Sequence, residues 1–203
     1  MAHVFRNGGF YPPYGGEDRD RGGRWRRFVT LPHPEGTMRH QRLETDEPAL
    51  PVGIPARILN ELCEHAREAE PEECCGLVLS EASLRYGRAV RCQNEMTLRH
   101  QEDPEEFPRD SRAAYYMSMR DVLEVSREAE RSGEHVTAVY HSHVGAGAYL
   151  SKDDLSYARH ALFPFPYADQ IVLSVLERSV REIKIFVRCG DEFSERLVRA
   201  EAS

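Results

Sequence analysis

The sequence is short of lysine, of paired cysteines and of long apolar runs. Only Lys152 and Lys184 stand against 25 arginines, a composition that fits a GC-rich genome. The five cysteines (63, 74, 75, 92 and 189) are odd in number and form no C-x-x-C. That excludes a disulfide framework and suits a reducing compartment. The longest apolar run is IVLSVL at 171–176, far below membrane-spanning length. The N-terminal stretch MAHVFRNGGFYPPYGG has no continuous apolar core and no small-residue cleavage site, so we read no secretory signal and expect a cytoplasmic protein. Acids outnumber bases by 34 to 27, a net charge of −7. Residues 1–50 hold eight arginines and seven acids, so the remaining 19 bases and 27 acids leave the rest of the chain at −8. An acidic domain repels phosphate backbones, and no nucleic-acid partner is expected.

Residues 1–50 also differ in texture. They carry seven of the 14 glycines, five of the 12 prolines and the basic, aromatic patch RDRGGRWRRF. No helical or strand period persists through them. We read a flexible tail, with an arm that folds onto a partner or a second subunit as the alternative. A single domain is expected over 51–203. Ile58, Leu59, Leu62, Cys63, Ala66 and Ala69 fall on one helical face between Pro55 and Pro71. CCGLVLS then reads as a buried strand and GRAVRCQ as its neighbour. Residues 93–114 read as a long surface loop and AYYM as a short strand. Ser118 opens a capped helix closed by Gly133. HVTAVYHSH is a strand, Ser151 starts a short helix, and DQIVLSVLE, REIKIFVRC and FSERLVRA are three further strands. Strands and helices mix without βαβ alternation, which favours an α/β or α+β sandwich around one sheet.

The chemistry concentrates in YHSHVGAGAYLSKDD, residues 140–154. Alternation along a strand points His141 and His143 the same way and Ser142 the other. Two imidazoles at a strand end can share a cation, and catalytic zinc takes three protein ligands and keeps one open position. If a helix starts at Ser151, Asp154 lies in its first turn and is a credible third ligand. S-x-x-D is equally a capping box, and the two roles are compatible. Other candidates are weaker. Glu64, His65 and Glu68 lack the second histidine of the zinc-protease helices and read as exposed helix. Cys74 and Cys75, beside Gly76 in an apolar strand, read as buried small side chains.

H-x-H-x7-S-x2-D resembles the signature of the JAMM (MPN-plus) metalloprotease family. That family also has a glutamate within P-x-E-x-C-G, and PEECCG at 71–76 matches it with Glu73. The resemblance covers roughly 52–200. It implies an αβα sandwich around a mixed sheet, similar to the cytidine-deaminase-like architecture. It implies one Zn²⁺ per chain, bound by His141, His143 and Asp154. Glu73 is then the general base and acid, and Ser151 the donor to the oxyanion. The implied substrates are ubiquitin-like proteins, including sulfur carriers, cut after a C-terminal Gly-Gly. Many members have proline after the second histidine and before the serine, where this chain has Val144 and Leu150. The 144–150 loop is therefore expected to adjust to a bound tail, with residues 93–114 as the opposite wall. Two other classes stay open: a non-catalytic MPN scaffold, and a binding module acting through the N-terminal segment. The oligomeric state is not legible.

Overall fold

The computed structural model describes residues 17–19, 25–31, 39–44, 50–81, 83–160 and 163–202. The chain divides into two units, Met1–Ala49 and Leu50–Ser203. Three stretches of the first unit are described, and they are strands: β1 (Glu17–Arg19), β2 (Trp25–Leu31) and β3 (Arg39–Glu44), paired antiparallel in that order. These strands are not among those read from the sequence. The rest of the segment expected to be a tail lies outside the described residues.

The second unit runs β4 (Val52–Pro55), α1 (Ala56–Ala69), β5 (Cys75–Ser80), β6 (Arg88–Cys92), α2 (Met96–Glu102), α3 (Met119–Ser132), β7 (His135–Val144), α4 (Lys152–Ala158), β8 (Asp169–Leu176), β9 (Ser179–Cys189) and β10 (Glu192–Glu201). Its seven strands form one mixed sheet in the order β4-β10-β9-β8-β7-β5-β6. The β4/β10 and β7/β8 pairs are parallel, and the others are antiparallel.

Period-2 alternation sends successive residues of β5 and β7 to opposite faces, and a helix covers each face. On one side Ile58, Leu62 and Ala66 of α1 pack on Val78, Ala138, Tyr140, Ile171 and Leu173. On the other, Val122, Val125 and Ala129 of α3 pack on Cys75, Leu77, Leu79 and Val139. The result is the αβα sandwich. Among the described residues no helix is long and apolar enough to cross a membrane.

Local signals explain the helix ends. Pro55 precedes α1, and Glu70 leaves the helical region ahead of Pro71, as a residue before proline must. Gly133 closes α3 at φ 73°, a left-handed cap that glycine adopts without a Cβ penalty. At the start of α3 the Ser118 side chain accepts the Asp121 N–H. The Asp121 carboxylate does not complete the box. It accepts the Gln93 N–H at 2.7 Å and so ties the helix to the end of β6.

Four readings need correction. The expected 93–114 loop contains α2, held on long-range hydrogen bonds rather than on a visible apolar period. AYYM is no strand; Met117 alone makes an isolated bridge, to Asn94. β4 escaped notice because four residues around a glycine and a proline give no period, and its ladder comes from β10. His65 is not on a fully exposed face. It is half-buried, with Nδ1 2.8 Å from the Tyr140 hydroxyl, and burial first, then Arg91, pushes its pKa down to about 4.

Candidate metal centre

β7 lies inside the sheet between β5 and β8, and its C-terminal end carries both histidines. His141 stands opposite Cys75 of β5 and Val172 of β8, and His143 opposite Ser174. Both share the face of Val139. Ser142 faces the other side, where its Oγ accepts the Cys74 N–H at 2.8 Å. That bond binds the strand carrying the histidines to the strand that follows Glu73. Gly76 completes the fit: a Cβ there would lie 2.3 Å from the Val90 carbonyl and 2.5 Å from the Tyr140 ring. The glycine of the P-x-E-x-C-G pattern is thus required by close approach of neighbouring strands.

Asp154 is positioned by the start of α4. Ser151 is the cap, its Oγ accepting the Asp154 N–H at 3.1 Å, and Asp154 Oδ2 accepts the Ser151 N–H at 2.8 Å. Both halves of the capping box are made, so the carboxylate has little freedom. Oδ2 is also the atom that faces the histidines, 3.5 Å from His141 Nε2 and 3.7 Å from His143 Nε2. The two Nε2 atoms are 3.2 Å apart.

Three donors about 2.0–2.1 Å from one tetrahedral ion would stand roughly 3.3–3.4 Å from each other. The observed triangle of 3.2, 3.5 and 3.7 Å fits that spacing. Among the described residues these three are the one group of His, Cys, Asp or Glu whose donors converge in this way, all within 4.8 Å. His143 Nδ1 lies 2.9 Å from the Gly147 carbonyl, a bond that puts the ring proton on Nδ1 and leaves Nε2 as a lone-pair donor. Tyr115 stacks on His141 at 4.5 Å, and Tyr149 meets His143 edge-on at 4.8 Å.

Charge on these groups follows from their surroundings. Burial disfavours the Asp154 carboxylate, but His141, His143 and Ser151 outweigh it and hold its pKa well below the usual range. Glu73 is buried, and burial first, then Asp154, pushes its pKa up to about 7 against the opposing pull of His143 and Arg109. Burial pushes the thiols of Cys74 and Cys92 up to about 12, which removes them as nucleophiles at neutral pH.

Glu73, His143, Ser151 and Asp154 line one cleft of about 440 Å³. One wall comes from the 93–117 segment. Asn94 organises it: its Nδ2 donates to the carbonyls of Glu73 and Ala114, and its Oδ1 accepts the N–H of Met96 and of Tyr116. Ser111, fully buried, accepts the Glu73 N–H on its carbonyl at 2.7 Å and the Thr97 N–H on its hydroxyl. Arg109 of this wall pairs with Asp153 of α4 across the cleft. Sequence reasoning named none of Asn94, Ser111, Tyr115 or Arg109. An asparagine or serine in a polar stretch carries no periodic signal, and only contact with Glu73 reveals its part.

The opposite rim, residues 144–150, is less adjustable than expected. The Gly145 N–H donates to the Val175 carbonyl, the Ser174 hydroxyl to the Ala146 carbonyl, and the Ala148 N–H to Glu182. Ala148 is buried against Val172 and Phe186. Hydrogen bonds to β8 and β9, not proline, tie it down.

Residues 55–187 match the prokaryotic homologues of the JAB domain. The chain belongs to that family. One solved structure agrees on the fold. A protein of Desulfitobacterium hafniense is 21% identical, with a TM-score of 0.54 over 74% of this chain and 93% of its own. A protein of Salinibacter ruber is 22% identical over 73% of this chain and 90% of its own, with a TM-score of 0.48. A JAB1/MPN domain protein of Archaeoglobus fulgidus is 15% identical over 70% of this chain and 94% of its own, with a TM-score of 0.39. No curated protein matches the chain. The JAB family includes metalloproteases; membership alone assigns this chain no activity.

Proposed function

We propose that this JAB-domain chain is a zinc-dependent peptidase or isopeptidase that cuts after the C-terminal Gly-Gly of a ubiquitin-like, sulfur-carrier-type protein. The observation that carries the reading is the convergence of His141, His143 and Asp154, the last two lining one cleft with a buried glutamate whose pKa is close to neutral. A scaffold has no use for two buried histidine nitrogens and a carboxylate facing one another at 3.2–3.7 Å. Two neutral imidazoles and an ionised carboxylate are the donors that zinc takes.

Zinc bound by these residues supplies a Lewis acid that lowers the pKa of water towards ~7. Glu73, with a pKa near 7, accepts the proton of the attacking water and returns it to the leaving nitrogen. Ser151 Oγ already accepts the Asp154 N–H, and its own proton is left for the developing oxyanion. The Arg109–Asp153 bridge and Tyr149 narrow the approach to the histidines. A tail of two glycines, with no Cβ on either residue, suits such a passage.

The test is mass spectrometry of a sulfur-carrier protein extended beyond its Gly-Gly, incubated with the full zinc-loaded chain. We expect a single cut after the second glycine, abolished by chelation and restored by zinc. An intact substrate, or a cut that survives chelation, would refute the proposal.

A further inference from the structure

The cleft wall that carries Arg109 also carries Arg112, and the two arginines are differently placed. The Arg109 guanidinium is used: it pairs with Asp153 and donates to the Ala113 carbonyl. Arg112 is exposed, lines the cleft, and has no carboxylate partner among the described residues. The acidic side chains around the cleft are Glu73, Asp153 and Asp154, and Asp153 is already matched. In a chain of net charge −7, an unmatched guanidinium at the mouth of the cleft is a site for an anion.

The backbone at Arg112 is also held in place. Its N–H donates to Asp110 Oδ1 at 3.0 Å, and the Ala113 N–H to the Asp110 carbonyl at 3.1 Å, which closes a turn around it. The preceding residue, Ser111, accepts the Glu73 N–H. The backbone that carries the guanidinium is therefore fixed one residue from the backbone contact of the proposed base. A group held near that base on the substrate is the leaving group.

We propose that Arg112 binds the free α-carboxylate of a short C-terminal extension, so that the enzyme prefers to remove such an extension over cutting within a longer chain. This rests on the activity proposed above. Arg112 is here a specificity-determining residue, and the anion it takes is the carboxylate that every released C-terminal fragment carries.

The probe is a sulfur-carrier protein ending in Gly-Gly followed by two alanines, prepared by semisynthesis as the free acid and as the C-terminal amide. With the full zinc-loaded chain, kcat/KM should favour the free acid by about tenfold or more, as expected for one charge-assisted bond. In Arg112→Gln the ratio of acid to amide should fall to about one, and Arg112→Lys should restore part of it. A folding defect would slow both forms alike and leave the ratio standing. The same pair is also titrated onto the Glu73→Gln variant by calorimetry, with the acid expected to bind more tightly. No cleavage together with an acid preference in binding would sink the hydrolysis and keep the carboxylate site. Equal handling of acid and amide in both readouts, or an unchanged ratio in Arg112→Gln, would overturn the site.

Discussion

The two walls of the cleft are built on different principles. The ligand side, residues 141–154, follows short-range rules: strand alternation aims His141 and His143, and a capping box fixes Asp154. The 93–117 side follows none of them. It is held by single polar side chains that reach across the fold, Asn94 to Glu73 and Tyr116, and Ser111 to Thr97 and Glu73. On the proposed reading, one wall would hold the metal and the other would position the base. Breaking each should therefore give different failures.

Loss of the ligand side should be most severe. His141→Ala or Asp154→Ala should reduce turnover of the Gly-Gly-extended carrier to background, and Asp154→Ala should also cost about 1 kcal/mol through its cap. Glu73→Gln should keep its metal and lose about 10²–10⁴-fold in kcat. Its stability should move the opposite way. Folding raises the Glu73 pKa from 4.5 to about 7, chiefly by burial, so the folded chain holds that proton more tightly than the unfolded one. In the metal-free parent the Glu73 contribution to stability should be fully present below about pH 4.5 and be lost as the pH rises through 7. Glu73→Gln should abolish this slope and melt higher at pH 8, by on the order of 3 kcal/mol. Thermal melts across pH on the metal-free proteins read the difference, and a variant that melts lower at pH 8 would contradict it.

The positioning wall should break more gently. Asn94→Ala strips four hydrogen bonds at once and should cost about 2–3 kcal/mol in urea unfolding, with zinc retained and kcat reduced. Loss of zinc in that variant would mean that the walls are not separate. The smallest effect lies outside both. Folding depresses the His65 pKa from 6.5 to about 4, so its contribution is present above pH 6.5 and is lost as the pH falls towards 4. Because the ring is half-exposed, about 1 kcal/mol is expected, and His65→Gln should flatten that limb of the stability profile.

This contrast also explains what the sequence could reveal. His141, His143, Ser151 and Asp154 were legible because each is tied to a local period or cap, and α1, α3, α4 and the central strands were legible by the same rules. Glu73 stood out only through its pattern with Cys75 and Gly76, whose reason is the close approach of Val90 and Tyr140. β4 was missed because its partner β10 lies far along the chain, and α2 because it rests on two polar side chains with no apolar period, Asn94 just ahead of it and Ser111 beyond it. The stiffness of 144–150 was misjudged for the same reason. Its anchors, Ser174, Val175 and Glu182, lie on strands that the loop's own residues do not announce.

The central claim is that one metal is held by three named donors, and elemental analysis tests it most directly. The full chain and its His141→Ala variant are loaded with zinc side by side, passed through a desalting column and measured. We expect about one zinc per chain in the parent and close to none in the variant. Equal zinc in the two proteins, or none in the parent, would contradict the account.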